Sequence, residues 1–530
     1  MNHKKNIKEA AVIDIDSNAL KMRISQLKKG KIVDIDRLEH PIRAGHEVFK
    51  NGKISFETLH GLSSLLSGYS DVMKEYGVGK FRVVATTVLR EAKNRAYVLD
   101  QLKIQNGMTV EVLEEDKEKT LIYSRVLELQ QKAREQKKKK EEKKEEEKAG
   151  EGSTLIAYIG AGTIGLSVFE GTRAVFSQNI PMGSLKLHDM LGSIRNLTGD
   201  YYTVVEEYLD TVIDHAAVPF RTGRVSNLIL TGGCIRLIAK LSGVKPSEEY
   251  FELSADKLKK LFHSVLSSSQ EKTALAYQIS EGDAELLYSS LAIIVHLLRF
   301  SSSQTIFFAQ AELWDTLIQH MLIPKSRSEY EKQIFDSAIS CAREISAAYR
   351  CNAVHSECIR KYACKIFDRM KGAHGLDRRK RLLLELAAIL HETGYYVTAK
   401  QHRLSSFDLI KDTDIYGMTD EEMLITACVA RYNEFDVPDF DSPGLRDLSV
   451  ENRLIVSKLV AIFRLANALD KSHRQKLKDI KVRVEDNRLL ITAKSDANLH
   501  LEKWAFGQCA PFFQEVFGYH PELSIKSPLV

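Results

Sequence analysis

The chain has 530 residues, of which 44% are hydrophobic and 28% are charged. At about 150 residues per domain, this length predicts three to four domains and excludes a single small module. The 76 Lys and Arg residues exceed the 71 Asp and Glu residues by only five, which is too small a charge over this length to indicate a nucleic-acid-binding protein.

The first residues and the most apolar windows argue against secretion and membrane insertion. MNHKKNIKEAAVIDID passes from lysines directly into an alternating strand pattern, unlike a signal peptide. LLELAAIL and SSLAIIVHLL end well short of the roughly 20 residues that a membrane-spanning helix needs. The seven cysteines are odd in number and contain no CxxC pair, which favours reduced thiols. We therefore expect a cytoplasmic protein without a membrane partner.

The first predicted domain, residues 1–130, is an α/β unit. AAVIDIDSNALKMRISQLKKGKIVDIDRLEHPIRAG reads as three strands joined by tight turns, followed by a helical pattern and the strand KFRVVATTV. The next segment, residues 131–153, is almost entirely charged and lacks core-forming residues after its first few positions. It is predicted to be a solvated linker or a frayed charged helix.

Residues 154–322 repeat the pattern of the first domain. STLIAYIGAGTIGLSVFEGTRAVFSQNIPMGS again reads as strand, turn, strand, turn, strand, and VSNLILTGG supplies the later strand. An internal repeat of this kind predicts a duplicated α/β fold. Residues 323–478 have apolar residues at helical spacing and are expected to form an all-helical domain. Residues 479–530 read as short strands around one amphipathic helix, a small α+β domain.

Each α/β half begins with a hairpin whose tight turn is rich in Gly, Ser, Asn or Thr. These turns lie at residues 16–18 and 160–162. Backbone N–H groups in such turns can bind phosphate, although ordinary hairpins use the same residues. Two such turns facing each other across a cleft favour a phosphate ligand.

Several motifs resemble the exopolyphosphatase / guanosine pentaphosphate phosphatase (Ppx/GppA) family, in the family's order. They are IDIDSNALKMRI, ATTVLREAKN, EEDKEKTLIYSRV, IGAGTIGLSV, TGGCIRLIAKL, LHETGYYVTAKQH, ACVARYNE and RLANALDKSH. The resemblance implies two duplicated actin-like lobes (the ribonuclease H-like, ASKHA fold), an all-helical HD-like domain and a small α+β C-terminal domain.

The resemblance also implies a reaction. Family members remove the terminal phosphate from inorganic polyphosphate or from guanosine pentaphosphate by in-line attack of water, assisted by Mg²⁺ or Mn²⁺. Polyphosphate or guanosine pentaphosphate is therefore the expected partner, neither a nucleic acid nor a membrane is expected, and a homodimer is a candidate assembly.

The matching motifs assign candidate site residues. Glu118 corresponds to the catalytic carboxylate that takes a proton from water or orients it, and Asp14 to the loop carboxylate directed to the cation. For Glu118, as for Arg90, the alternative is an ordinary surface charge. The residues that the resemblance implies for phosphate binding are Ser17, Asn18, Arg90, Gly160, Gly162, Thr163 and Lys186.

The chain departs from the family pattern at positions expected to complete the site. Tyr158 and Gly165 stand where the family has Asp and Glu, and Asp16 stands where it has Gly. The first two changes remove oxygen ligands that Mg²⁺ or Mn²⁺ would use, whereas Asp16 could replace one. An alternative function follows: a catalytically degenerate homologue that binds polyphosphate or a guanosine alarmone as a sensor.

The helical domain contains a second candidate metal site. His355, His391 and Glu392 resemble the H…HD…D pattern of HD-type metal phosphohydrolases, with Glu392 in place of the Asp and Asn467 in place of the last Asp. Two imidazoles and a carboxylate can hold a divalent ion, but buried structural histidines are the alternative. Hydrolysis at this site is a third candidate function.

A set of basic residues on the same domain could guide a long polyanion, although such a set also forms an ordinary solvent-exposed face. Its members are Lys361, Lys365, Arg369, Lys371, Arg378, Arg379 and Lys380.

Overall fold

The structure is a computed structural model that describes residues 8–140, 152–191, 201–216, 225–245, 248–434 and 436–526. The chain divides into two compact units, Met1–Ile334 and Phe335–Val530. Among the described residues, no helix combines the length and the apolar character that crossing a membrane requires.

The first lobe of the first unit is built on a five-stranded sheet. Its strands are β1 (Lys8–Ile15), β2 (Ala19–Lys28), β3 (Lys31–Pro41), β4 (Phe81–Ala85) and β5 (Val110–Val112). They lie in the order β3-β2-β1-β4-β5. The β1–β2 and β2–β3 pairs are antiparallel, and the β1–β4 and β4–β5 pairs are parallel. The central strand β1 is buried because it is covered on both faces.

The helices of this lobe are α1 (Ala44–Asn51), α2 (Phe56–Glu75), α3 (Thr87–Glu91), α4 (Arg95–Asn106) and α5 (Glu115–Lys140). Helix α2 begins where the Ser55 side chain accepts a hydrogen bond from the Thr58 N–H. Its apolar residues at helical spacing, including Leu62 and Leu66, pack into the core of the lobe. Helix α5 continues through the first ten residues of the predicted charged linker, whose residues 141–151 lie outside the described ranges.

The second lobe has a six-stranded sheet. Its strands are β6 (Thr154–Ile159), β7 (Ile164–Glu170), β8 (Arg173–Ile180), β9 (Asn227–Gly232), β10 (Tyr250–Ser254) and β11 (Thr305–Ala309). Its helices are α6 (Ser184–Leu191), α7 (Tyr201–Ala216), α8 (Ile235–Leu241), α9 (Ala255–Leu266), α10 (Gln270–Tyr277), α11 (Glu281–Leu297) and α12 (Leu313–Leu322).

The two sheets share one topology. The order in the second lobe is β10-β11-β9-β6-β7-β8. Strands β6 to β8 form an antiparallel meander, while β9 is parallel to both β6 and β11, as in the first lobe. Strand β10 adds an antiparallel edge. The prediction of a duplicated α/β fold is therefore confirmed.

The second unit is helical and then mixed, as predicted. Helix α13 (Pro324–Ala348) spans the boundary between the units. The later helices are α14 (Ala353–Arg369), α15 (Lys371–His374), α16 (Arg378–Leu390), α17 (His402–Lys411), α18 (Asp420–Arg431), α19 (Val450–Ala468) and α20 (His500–Phe517). The strands β12 (Lys478–Glu485), β13 (Arg488–Lys494) and β14 (His520–Lys526) form a small sheet with β13 in the centre.

Candidate active site

A cavity of about 450 Å³ lies where the two lobes of the first unit meet. Parallel strands end at a shared edge of each sheet, and residues that end or follow β1, β4 and β9 line the cavity. Helices α5, α8 and α11 contribute further side chains. The residues used below are Asp14, Asp16, Lys21, Glu39, Glu118, Tyr158, Arg236, Lys240, Gln278 and Glu312.

Acidic side chains dominate the inner part of the cavity. Asp14 is 8% exposed, and its Oδ1 atom has no hydrogen-bond partner among the described residues. Burial raises the pKa of Asp14 well above its ordinary value, and Asp16, Glu118 and Glu312 raise it further against the opposing charge of Lys21. A buried, unpartnered carboxylate oxygen beside a second carboxylate is the donor set that Mg²⁺ or Mn²⁺ accepts, so the residues fit such a cation.

Basic side chains lie among these carboxylates. The Lys21 ammonium is 3.5 Å from Asp16 Oδ2, and Asp16 Oδ1 accepts a hydrogen bond of 2.6 Å from the Ser17 N–H. Burial by itself would lower the pKa of Lys21, but Asp16, Glu312, Asp14 and Glu39 reverse this and raise it. Arg236 forms an ion pair with Glu312.

Glu118 is held by two donors. Its Oε1 accepts a hydrogen bond of 2.8 Å from the Tyr158 hydroxyl, and its Oε2 accepts one of 3.0 Å from Arg90 Nη1. The Arg90 guanidinium also donates to the Leu113 carbonyl at 2.8 Å and to Thr87 Oγ1 at 3.0 Å. Burial opposes the charge of Arg90, but Glu118 and Glu115 raise its pKa. Arg90 thus orients the predicted catalytic carboxylate and is not among the residues that line the cavity.

The backbone carbonyls of the turn at residues 160–162 form hydrogen bonds with the start of helix α6. The Gly160 carbonyl accepts from the Ser184 N–H, and the Ala161 carbonyl accepts from the N–H groups of Leu185 and Lys186, all at the start of α6. A Cβ atom at Gly162 would lie 2.5 Å from Thr87 Cγ2. The turn therefore lies against α3 and α6, and the predicted phosphate ligands Gly160, Gly162, Thr163 and Lys186 are not part of the cavity lining.

The turn at residues 16–18 is close to the start of α6. A Cβ atom at Gly45 of α1 would lie 2.7 Å from Ser17 Cβ and 2.9 Å from Leu185 Cδ2, so only glycine leaves room for this approach. Ser17 is fully buried, and its Oγ has no partner among the described residues. Ser17 and Asn18 are likewise absent from the cavity lining.

The position of Gly165 is explained by a buried lysine that the sequence analysis did not single out. A Cβ atom at Gly165 would lie 2.6 Å from Lys119 Cδ. Lys119 is 1% exposed, and its ammonium contacts Asp116 Oδ1 at 3.0 Å and Asn179 Oδ1 at 2.7 Å. The spacing of Asp116 and Lys119, one turn apart on α5, was the available signal.

Other residues of the cavity were also missed. Lys21 lies on β2, Arg236 and Lys240 lie on α8, and Glu312 directly precedes α12. Lys21, Arg236 and Lys240 fall within quoted motifs, but the motifs did not single them out as site residues.

The predicted metal ligands of the second unit are only partly brought together. His355 Nδ1 is 2.8 Å from Asp470 Oδ2, and Glu392 Oε2 accepts from the Asn352 N–H at 3.1 Å. His391 Nδ1 faces the Ala388 carbonyl at 3.0 Å, and burial lowers the pKa of His391 to about 3. His355 and Glu392 form a group with His473, in which the ligand atoms lie within 4.8 Å of one another; His391 is outside this group.

The predicted basic track is partly neutralised. Arg379 pairs with Glu422 at 2.6 Å, and Lys361 lies 3.9 Å from Glu357. Lys365 donates to the Ile480 carbonyl at 3.2 Å. Three of the seven basic side chains therefore have partners within the chain, and their positions need no bound polyanion to explain them.

The chain matches two family models. "Ppx/GppA phosphatase family" matches residues 23–137, and "Ppx/GppA phosphatase, domain III" matches residues 339–506, together more than half of the chain. An exopolyphosphatase from Cytophaga hutchinsonii is similar at a TM-score of 0.50 and 18% identity, over 59% of this chain and 98% of that one. A Ppx/GppA family member from Aquifex aeolicus has a TM-score of 0.48 and 19% identity, over 60% of this chain and 99% of that one. The chain belongs to the Ppx/GppA phosphatase family.

Proposed function

We propose that the chain is a phosphohydrolase that releases the terminal phosphate of inorganic polyphosphate or guanosine pentaphosphate by attack of water. The observation that carries this proposal is that Asp14, Asp16 and Glu118 line one cavity together with the basic residues Lys21 and Lys240. Membership of a phosphatase family supports the general class of reaction.

Asp14 and Asp16 are the residues that would hold Mg²⁺ or Mn²⁺. The unpartnered Asp14 oxygen and the mutual repulsion of the carboxylates support this assignment. When bound, the cation would neutralise the negative charge that develops on the phosphate oxygens during transfer.

Glu118 would accept the proton of the attacking water. Each carboxylate oxygen has two lone pairs, so the bonds from Tyr158 and Arg90 leave one on each oxygen for the water. The same two bonds fix the orientation of the carboxylate, which general-base catalysis requires. Lys240, whose ammonium donates to the Gln278 carbonyl at 2.8 Å, lies on the cavity wall and would attract the polyanion.

A second candidate function is a sensor that binds the same anions without turnover. Two observations favour it: Tyr158 stands where the resemblance predicts a carboxylate and donates to Glu118 Oε1, and Lys119 fills the space beside Gly165, where the resemblance predicts the other carboxylate. Binding would then use the cavity without the complete set of cation ligands.

Phosphate release from both substrates, with and without Mg²⁺ or Mn²⁺, tests the proposal. We expect cation-dependent release, and we expect Glu118→Gln to lower it by about 10²- to 10⁴-fold while substrate binding persists. Glu57→Gln, an exposed carboxylate on α2, is the matched control and should leave release unchanged. Thermal unfolding of each variant checks that it is folded.

Other outcomes would reject the hydrolase. Binding without release, unaffected by added cation, would favour the sensor. Release that survives Glu118→Gln but is lost in His391→Ala would transfer the activity to the helical unit.

A further inference from the structure

We propose that the second unit contains a transition-metal site formed by His355 Nε2, the Glu392 carboxylate and an imidazole nitrogen of His473. The ligand atoms of these three residues lie within 4.8 Å of one another. Two imidazoles and one carboxylate suit Zn²⁺, with a fourth position left for water. This site is independent of the function proposed for the first unit.

His355 is prepared to donate a lone pair. The Asp470 carboxylate accepts hydrogen bonds from the Gln475 N–H at 2.7 Å and from the Gln475 side-chain amide at 2.9 Å. Because an ionised carboxylate only accepts hydrogen bonds, Asp470 is also the acceptor in its 2.8 Å contact with His355 Nδ1. The His355 proton therefore lies on Nδ1, and Nε2 has the lone pair. His355 is 0% exposed, and Nε2 has no hydrogen-bond partner in the described part of the chain.

This carboxylate–histidine pair is the arrangement that orients metal-bound imidazoles in proteins. A buried nitrogen with a lone pair and no donor is unusual in a folded protein. A metal ion at Nε2 would satisfy it.

Glu392 has one oxygen available beside this nitrogen. Its Oε2 accepts from the Asn352 N–H, whereas its Oε1 lies 3.7 Å from His473 Nδ1. Asn352 also caps α14, because its side chain accepts from the His355 N–H at 3.2 Å. The backbone around Asn352 thus ties Glu392 to the start of the helix that carries His355. Ligands of a tetrahedral Zn²⁺ at ~2.0–2.2 Å lie about 3.3–3.6 Å apart, which is close to the 3.7 Å between Glu392 Oε1 and His473 Nδ1.

His473 must turn to join the site. Its ring stacks on that of His355, with ring centroids 3.5 Å apart and an angle of 13° between the planes. A metal lies near the plane of each imidazole that binds it, and two nearly parallel planes at this distance cannot both contain one ion. The His473 side chain is 42% exposed, so it can rotate without disturbing the core.

The ligand set differs from the one predicted from the sequence. His391 Nδ1 faces a backbone carbonyl, and the His391 and His355 ring centroids are 5.6 Å apart. His473, three residues after Asp470, takes the place expected for His391.

Titration of the metal-stripped full chain with Co²⁺, followed by its visible absorption, and with Zn²⁺, followed by calorimetry, tests the proposal. A background that carries both Asp14→Asn and Asp16→Asn removes the candidate cation ligands of the first unit. We expect one equivalent bound with an imidazole-type Co²⁺ spectrum, and we expect His473→Ala to weaken binding at least tenfold. His402→Ala, which removes a neighbouring imidazole that stacks on Tyr395, is the matched control and should bind normally.

The exposed position of His473 makes its replacement a test of binding rather than of folding, and thermal unfolding confirms this. Equal affinity in His473→Ala and the parent would overturn the proposal. Loss of binding in His391→Gln with normal binding in His473→Ala would support the sequence-based ligand set instead.

Discussion

Two adjacent residues of α5 contact the two positions, 158 and 165, at which the family resemblance predicted a carboxylate. Glu118 accepts a hydrogen bond from Tyr158, and Lys119 fills the space beside Gly165. The replacements are therefore matched to their surroundings: a carboxylate at position 158 would repel Glu118, and any side chain at position 165 would meet Lys119. Sequence comparison finds such positions, but it cannot identify the contacts that compensate for them.

Replacing Gly165 with alanine should destabilise the first unit. The new Cβ would lie 2.6 Å from Lys119 Cδ, and Lys119 cannot move freely because Asp116 and Asn179 hold its ammonium. We expect the free energy of unfolding to fall by about 1–3 kcal/mol, as in overpacked cores. Denaturant unfolding measures this. Gly61→Ala, at a site in α2 with open space around the new methyl group, is the control and should be neutral or stabilising. Equal stability of Gly165→Ala and the wild type would contradict the packing described for Lys119.

Glu115 should make stability depend on pH. Burial raises the pKa of Glu115 from 4.5 to about 7, although Arg90 and Lys119 oppose the rise. The folded state therefore holds the Glu115 proton more tightly than the unfolded state does. The stabilisation that this protonation gives the folded state is fully present below about pH 4.5 and is lost as the pH rises through about 7. We expect Glu115→Gln to remove a pH-dependent change of at most about 3 kcal/mol. Urea unfolding at pH 5 and pH 8 measures it, and an unchanged difference between the two pH values would contradict the burial of this carboxyl group.

At the scale of elements, the ends of strands set the position of the cavity, and helices α5 and α8 add charged side chains to those of the strands and turns. Strands β1 and β4 end at one edge of the first sheet, and β6 and β9 at one edge of the second. Helix α8, directly after β9, presents Arg236 and Lys240 to the cavity from successive turns. The strands and their repeat were predictable because hydrophobic alternation reports burial within an element. That α8 and Glu312 lie together at the cavity could not be predicted, because hydrophobic periodicity does not indicate which elements of the fold lie opposite each other.

Removing the Lys240 ammonium should weaken capture of a polyanionic substrate. Lys240 is an exposed residue of the cavity wall. Within the described residues, it forms no hydrogen bond with Asp14 or Glu118. We expect Lys240→Ala to raise KM several-fold with little change in kcat, and to reduce the sensitivity of kcat/KM to salt. Steady-state kinetics at two ionic strengths measure this. Lys259→Ala, an exposed lysine of α9, should behave as the wild type; an equal effect of both variants would show that only net charge matters.

At the scale of the whole molecule, the order of domains was predictable and the site was predictable only in part. The internal repeat predicted two lobes, and helical spacing predicted the later helical region. Asp14, Asp16 and Glu118 do line one cavity. Seven other candidates, the predicted phosphate ligands, do not line it, because α1, α3 and α6 pack against the two turns and because Arg90 bonds to Glu118. Those contacts join residues distant in sequence, which a turn motif does not report.

The central claim is that the carboxylates of this cavity, with a divalent cation, release phosphate. The most direct measurement is the rate of phosphate release from polyphosphate and guanosine pentaphosphate by Asp14→Asn and the wild type across a Mg²⁺ titration. Asparagine preserves the shape of Asp14 but removes its charge, and thermal unfolding establishes that the variant is folded. We predict a rate at least about a hundredfold lower for Asp14→Asn at saturating Mg²⁺. Equal rates with the same Mg²⁺ dependence would contradict the account.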